Sequence, residues 1–161
     1  TSCSSMFSGC DALDQNIQIP NSVTSCISMF ERCVSLNQNI LIPNSVTRTD
    51  GMFAGYDSAG CENLNQNILI PNSVIYANRM FDSCVNLNQN IYVYSENIGT
   101  NCPDMFNNCG LLADKYIHIR SSIPLDTSNK FYNCLVNGRT GIDWTGRVIN
   151  DLEEPTVWPP L

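Results

Sequence analysis

Charged side chains are scarce in this chain of 161 residues: they make up 14% of it, and 8 basic residues stand against 15 acidic ones. The formal net charge of −7 argues against binding nucleic-acid phosphates or an anionic membrane surface, because both call for a basic face. No apolar run approaches the ~20 residues that span a bilayer. The chain begins at Thr1 inside a patterned segment, without an initiator Met or a signal peptide. We therefore expect it to be part of something longer.

Catalytic motifs are also missing from the sequence. The single histidine, His118, has no Ser or Cys placed to work with it, and the pair Glu153–Glu154 falls in a Pro-rich end that we expect to be solvated. There is no Gly-rich phosphate loop, no nucleophile elbow and no carboxylate pair inside the patterned region. We expect a protein that is not an enzyme and has no cofactor.

What the chain does have is a repeat of 23 residues, Met-Phe-x-x-Cys-x-x-Leu-Asn-Gln-Asn-Ile-x-Ile-Pro-Asn-Ser-Val-Thr with four further residues. The Met-Phe pairs of the five repeats begin at Met6, Met29, Met52, Met80 and Met105. A degraded sixth repeat places Phe131 and Cys134 in the same register, and the third carries five extra residues between Phe53 and Cys61. Periods of about 20–50 residues are typical of solenoids, whose units stack to share a core.

Each repeat divides into two predicted elements. Cys26, Met29, Phe30 and Cys33 follow the i, i+3, i+4, i+7 spacing of one helix face, with Thr24 as a candidate N-cap. The alternating Ile-x-Ile that follows predicts a short strand with both isoleucines inward. The strands are expected around Ile17, Ile40, Ile68, Ile91 and Ile117. We predict an α/β repeat solenoid, a right-handed coil like that of leucine-rich repeats, with a parallel sheet on one side and short helical segments on the other.

The predicted solenoid covers residues 1–134 in five to six repeats, and residues 135–161 form a C-terminal cap and a Pro-rich tail. Within the cap, 142–144 is a predicted capping strand and Val148 with Ile149 the last core contact. Two interpretations of 151–161 remain open: an ordered strap across the last repeat, or an attachment segment.

The nine cysteines fall on two repeat positions, one three residues before Met and one three residues after Phe, allowing for the five extra residues of the third repeat. They are Cys3, Cys26 and Cys102, and then Cys10, Cys33, Cys61, Cys84, Cys109 and Cys134. Helices on neighbouring repeats would lie ~8–10 Å apart, beyond the ~7 Å between Cα atoms that a disulfide allows. The sequence contains no C-x₂₋₄-C pair, which is the spacing typical of metal-binding cysteines. We expect the thiols to be buried and reduced, with disulfides improbable. We also expect no bound metal. Repeated Gln and Asn positions (Gln15 and Asn16 in the first repeat) are more often structural ladders than an exposed binding stripe.

The Ile-Pro-Asn-Ser-Val-Thr string, followed by Phe-x-x-Cys-x-x-Leu on this period, resembles BspA-like leucine-rich repeats, also called Treponema-type repeats. The Met-Phe-x-x-Cys-x-x-Leu-Asn-Gln-Asn-Ile half is similar to a related family of bacterial surface repeats of unknown function. The resemblance covers residues 1 to about 134. It implies a curved solenoid used for adhesion or ligand binding on cell or virion surfaces, without catalysis.

Strand alternation predicts which side chains face outward. The predicted binding face consists of Leu41, Leu69, Tyr92, Tyr94, Tyr116, His118 and Arg120, with Gln18 at the same position in the first repeat. This face varies from repeat to repeat, as a binder's should, and runs from aliphatic to aromatic to basic. The insertion, with Tyr56 and Asp57, is a second candidate because solenoid insertions form surface loops.

From these residues we expect an extracellular recognition or adhesion module, a fragment of a larger cell-surface or phage fibre protein. Its partner would be a protein or glycan on a host or neighbouring cell, or other subunits of a fibre or virion. The alternative is a purely structural virion or surface-layer assembly domain without a ligand. Neither interpretation involves nucleic acid or membrane insertion.

Overall fold

The strands of this computed structural model form one parallel sheet. The structure describes residues 1–55, 60–98, 102–109, 115–123, 147–153 and 155–159. Strands β1 (Ile68–Ile70), β2 (Ile91–Val93), β3 (Ile117–Arg120) and β4 (Val148–Leu152) lie side by side in chain order. The predicted parallel sheet of short strands is therefore confirmed. Its fourth strand begins at Val148, predicted only as a last core contact, whereas 142–144 and the boundary at 134 lie outside the described residues.

Equivalent positions of successive repeats pair with one another in this sheet. Ile68 pairs with Ile91, Ile91 with Ile117, and Ile117 with Val148, and all four side chains are buried. Because parallel strands in register place like residues above like, each repeat adds one layer to the same core. The chain therefore has a repeat-like fold.

The strands predicted around Ile17 and Ile40 are absent from the described structure. The inward residues still bury, Ile40 to 1% and Ile42 to 0% exposure, but their backbones join no ladder. Proline is one reason. Tyr94 donates its amide to the Ile70 carbonyl, but Pro43 and Pro71 hold the equivalent positions in the earlier repeats and have no N–H to donate. The Ile42 carbonyl accepts a hydrogen bond from Trp158 instead. Isolated parallel β-bridges outside the sheet pair these repeats instead. They join Ser2 to Ser25, Ser25 to Arg48, and Arg48 to Tyr76.

The predicted helical segments are wrong: among the described residues the Met-Phe segments form runs of tight turns. In the second repeat, Met29 and Cys33 donate backbone N–H bonds to carbonyls three residues earlier, those of Cys26 and Phe30. The alternate amides point away from their own repeat, and Phe30 donates to the carbonyl of Met52 at 2.9 Å. Half of the amides thus close turns, and the other half tie each repeat to the next.

Positive φ angles mark the places where the backbone of these segments departs from a helix. They recur immediately before Met at Ser5, Ser28, Gly51, Arg79 and Asp104, and before Cys at Gly9, Arg32, Ser83 and Asn108. A left-handed residue every few positions interrupts helical hydrogen bonding and costs about 1–2 kcal/mol when it is not glycine. The inter-repeat hydrogen bonds offset that cost. The apolar face was predicted correctly, because Cys26, Met29, Phe30 and Cys33 are all buried, but its backbone was not.

The phenylalanines stack through the core as a continuous column. Neighbouring rings in the series Phe7, Phe30, Phe53, Phe81 and Phe106 are 5.3–5.8 Å apart between centroids, at interplanar angles of 6–9°. The column is open at its first member: Met6, beside Phe7, is 57% exposed, whereas Met52 is fully buried. Repeats therefore stack at strand-like separations rather than at the wider spacing of packed helices.

This closer spacing also corrects the expectation for the cysteines. Cys102 is disulfide-bonded, and its partner lies outside the described residues. The argument against disulfides assumed helices 8–10 Å apart, and without helices that distance does not apply. The remaining cysteines among the described residues are reduced thiols: Cys3, Cys10, Cys26, Cys33, Cys61, Cys84 and Cys109.

Polar ladders satisfy the backbone where the chain turns, as predicted for the Gln position. The predicted Asn ladder is wrong for Asn16, Asn39 and Asn67, which are exposed, although Asn90 accepts the Tyr116 amide at 3.0 Å. The side-chain oxygens of Asp14, Asn37 and Asn65 each accept the amide of the corresponding residue in the next repeat at 2.9 Å. The Gln that follows also donates to the preceding repeat, as Gln66 does to Asn37. The ladder therefore runs through the Asn that precedes the Gln, while Asn39 and Asn67 are exposed.

Candidate binding face

One row of outward side chains crosses the sheet. Leu69, Tyr92, His118 and Ile149 are paired in register on β1 to β4, and we call these four residues the outward row. Each is half-buried, whereas the flanking Ile and Val positions are buried. Leu41 holds the same repeat position one layer earlier and is 36% exposed. The alternation thus brings Leu41, Leu69, Tyr92 and His118 to one surface, as predicted.

His118 is held in place on three sides. Its ring stacks on Tyr92, with 4.8 Å between centroids and 14° between planes, and Tyr116 lies edge-on at 6.5 Å. Its Nδ1 lies 2.9 Å from both carboxylate oxygens of Asp151. Its Nε2 is buried without a hydrogen-bond partner in the described structure. The imidazole is therefore fixed in orientation and mostly covered, with 14% of the side chain exposed.

Beside the outward row, acidic groups are more accessible than the cations they pair with. Arg120 contacts Glu96 at 3.3 Å, and 12% of the arginine side chain is exposed against 44% of the glutamate. Glu96 also accepts a hydrogen bond from Ser122, and Glu153 accepts one from Ser121 at 3.1 Å. The prediction that this end of the face is basic is therefore wrong, because the carboxylates of Asp151 and Glu96 are more exposed than Arg120.

Tyr94 corrects a second prediction. It has the outward parity, yet only 8% of it is exposed, because Trp158 packs against its ring at 5.4 Å and 84°. Burial raises the pKa of the Tyr94 phenol above its ordinary value, and the neighbouring Tyr92 and Asp151 act in the same direction. Tyr94 therefore packs against Trp158 rather than offering its own surface to a ligand. The other candidates, Tyr56 and Asp57 of the insertion, lie outside the described residues.

The sequence analysis missed two residues that shape this face, Asp151 and Trp158. Asp151 was assigned to the tail but lies on β4, opposite His118. The segment 155–159, which we call the strap, reaches back beyond the last repeat to the second, where Trp158 Nε1 donates to the Ile42 carbonyl at 2.8 Å. A Pro-rich stretch with one Trp was the available signal, but it could not indicate the distance that the strap covers.

In the described residues we find no group of three or more His, Cys, Asp or Glu side chains arranged to hold a metal ion. The same part of the chain has no helix that is both long and apolar enough to cross a membrane.

Comparison with known proteins gives one match. Residues 1–119 match the family described as "Mycoplasma protein of unknown function, DUF285". Neither the curated proteins nor the solved structures contain a match to the chain. The matched region spans all five Met-Phe repeats and ends within β3. The chain therefore belongs to the DUF285 family.

Proposed function

We propose that this chain is a non-enzymatic recognition module, a right-handed solenoid of BspA-like type displayed on a cell or virion surface, that binds a protein or glycan through its outward row. The observation that carries the proposal is the in-register row Leu69–Tyr92–His118–Ile149, in which no two side chains are alike. The inward positions of the same strands are almost uniformly Ile or Val. Packing restricts the inward positions, and the outward variety supports a role in recognition.

The row has the chemistry of an interaction surface. Exposed apolar patches on soluble proteins mark contact sites, and tyrosine is among the residues that anchor interfaces. The Tyr92–His118 stack supplies a rigid flat element, so little side-chain entropy is lost on binding. The exposed carboxylates of Asp151 and Glu96 supply acceptors at the edge. This combination favours partners with apolar faces and N–H or O–H donors.

The test compares the protein with a Tyr92→Ala/His118→Ala double variant on a glycan array and on cultured animal cells. Binding of the variant should weaken more than tenfold, which corresponds to about 1.4 kcal/mol. The Asn67→Ala variant is the matched control, since Asn67 is exposed and immediately precedes β1. Unfolding curves of both variants check that the fold is retained. Equal binding by the double variant would remove the outward row and leave the insertion as the candidate.

A further inference from the structure

A cleft of about 360 Å³ lies between the strap and the first two repeats. Its wall is formed by Gln18 and Asn21 of the first repeat, Leu41 of the second and Trp158 of the strap, with Ile19 and two prolines between them. The volume falls within the 300–1,000 Å³ that small-molecule sites occupy. The cleft shares Leu41 and Gln18 with the predicted outward positions but lies at the opposite end of the face from His118.

Trp158 is fixed in this cleft by the fold. Its indole N–H is used by the Ile42 carbonyl, and Tyr94 packs against the ring at 84°. The indole therefore offers a ligand its apolar ring surface rather than a hydrogen-bond donor. Because both contacts exist before any ligand arrives, the ring loses little conformational freedom on binding. Aromatic rings held in this way are suited to the C–H faces of sugar rings.

The polar groups of the cleft are amides, and none of the described residues that line it is charged, although the chain carries a net charge of −7. Gln18 and Asn21 are both exposed. Gln18 Nε2 donates to Asn16 at 3.1 Å, which leaves its second N–H and its carbonyl oxygen for another partner. The described lining offers no counter-charge to an ionic ligand, whereas hydroxyl groups can both donate to and accept from amides.

From this geometry we propose that the cleft is a binding subsite for one residue of a neutral glycan. The sugar ring lies against the indole of Trp158, and its hydroxyl groups bond to the amides of Gln18 and Asn21. The subsite is separate from the outward row, so it stands or fails independently of the proposed function. A Pro-rich peptide also uses aromatic grooves, but it takes few hydrogen bonds from amide side chains, and the two exposed amides favour a sugar.

Trp158 itself reports on binding. In a Trp144→Phe background it is the only tryptophan, because the chain has two. The probes are cellotriose, maltotriose and chitotriose as neutral glycans, trigalacturonate as a charged one, and decaproline as a peptide. At least one neutral trisaccharide should change the Trp158 emission saturably at millimolar concentration or below, and trigalacturonate should not.

Gln18→Ala/Asn21→Ala in the same background should weaken that binding at least tenfold, since both side chains are exposed and the fold does not need them. Val157→Ala is the matched control: Val157 is on the strap, is 61% exposed, and lines a different cleft. It should leave affinity unchanged. The proposal is overturned if no neutral trisaccharide binds, if only decaproline or trigalacturonate binds, or if the double variant binds as tightly as its parent.

Discussion

Cys61 Sγ donates a hydrogen bond to the carbonyl oxygen of Phe30, 3.0 Å away in the preceding repeat. Cys33 makes the same bond to Phe7, and Cys84 makes it to Phe53. In these three repeats the cysteine is thus a small buried side chain that also satisfies a backbone acceptor. This double role gives a structural reason for the recurrence of Cys at this position in reduced form.

Replacing Cys61 with Ser should destabilise the protein by about 1–3 kcal/mol. The hydroxyl oxygen lies closer to the backbone than sulfur does, so it reaches the Phe30 carbonyl less well and adds a polar group to an apolar core. Urea unfolding measures the change. Cys10→Ser is the control, because Cys10 is exposed and its replacement should cost no more than about 0.5 kcal/mol. Equal losses in the two variants would show that the buried thiol bond contributes nothing.

Alkylation should divide the thiols into three groups. In the native protein the exposed Cys10 and half-buried Cys3 react with iodoacetamide, while the buried cysteines from Cys26 to Cys109 that remain reduced are protected. In denaturant without reductant these seven thiols are all labelled, and Cys102 reacts only after reductant is added. Peptide mass spectrometry identifies the labelled sites. Labelling of Cys102 before reduction would contradict the disulfide.

Stability should fall in alkaline solution because of the buried thiols. Burial raises the pKa of Cys26 to about 12 and that of Cys33 to about 11, from an ordinary value of 9.0. The thiols stay protonated in the fold, whereas the unfolded chain loses these protons near pH 9. Their contribution is therefore complete below about pH 9 and is lost as the pH rises towards 11–12. Urea midpoints measured from pH 7 upward check this, and a Cys26→Ala/Cys33→Ala variant should show a shallower decline.

The phenylalanine column should be more sensitive in its middle than at its open end. Phe53 stacks between Phe30 and Phe81 and is fully buried, so Phe53→Ala should cost about 3–5 kcal/mol. Phe7 stacks on one side only and is half-buried, and Phe7→Ala should cost about half as much. Chemical unfolding of the two variants compares the same substitution at two depths. Equal losses of unfolding free energy in the two variants would contradict the partial exposure of Phe7 at the end of the column.

The repeat, its register and the residues that face the core were predictable from the spacing of residues along the chain. The period places Ile68, Ile91 and Ile117 in equivalent positions, and the structure pairs them directly. The outward positions of Leu69, Tyr92 and His118 followed from strand alternation alone. Burial was predictable because it depends on the spacing of apolar residues, and a spacing is visible within one repeat.

The backbone of the Met-Phe segments depends on contacts between repeats and could not be predicted from the sequence. The spacing of Cys26, Met29, Phe30 and Cys33 is that of a helix face, and a helix would satisfy its own amides. The observed turns send Phe30 N–H to Met52 of the next repeat, so their stability depends on a neighbour that no local window contains. The surroundings of the binding face were decided in the same way. Asp151 meets His118 across 33 residues, and Trp158 meets Ile42 across 116, through contacts that exist only once the repeats have stacked.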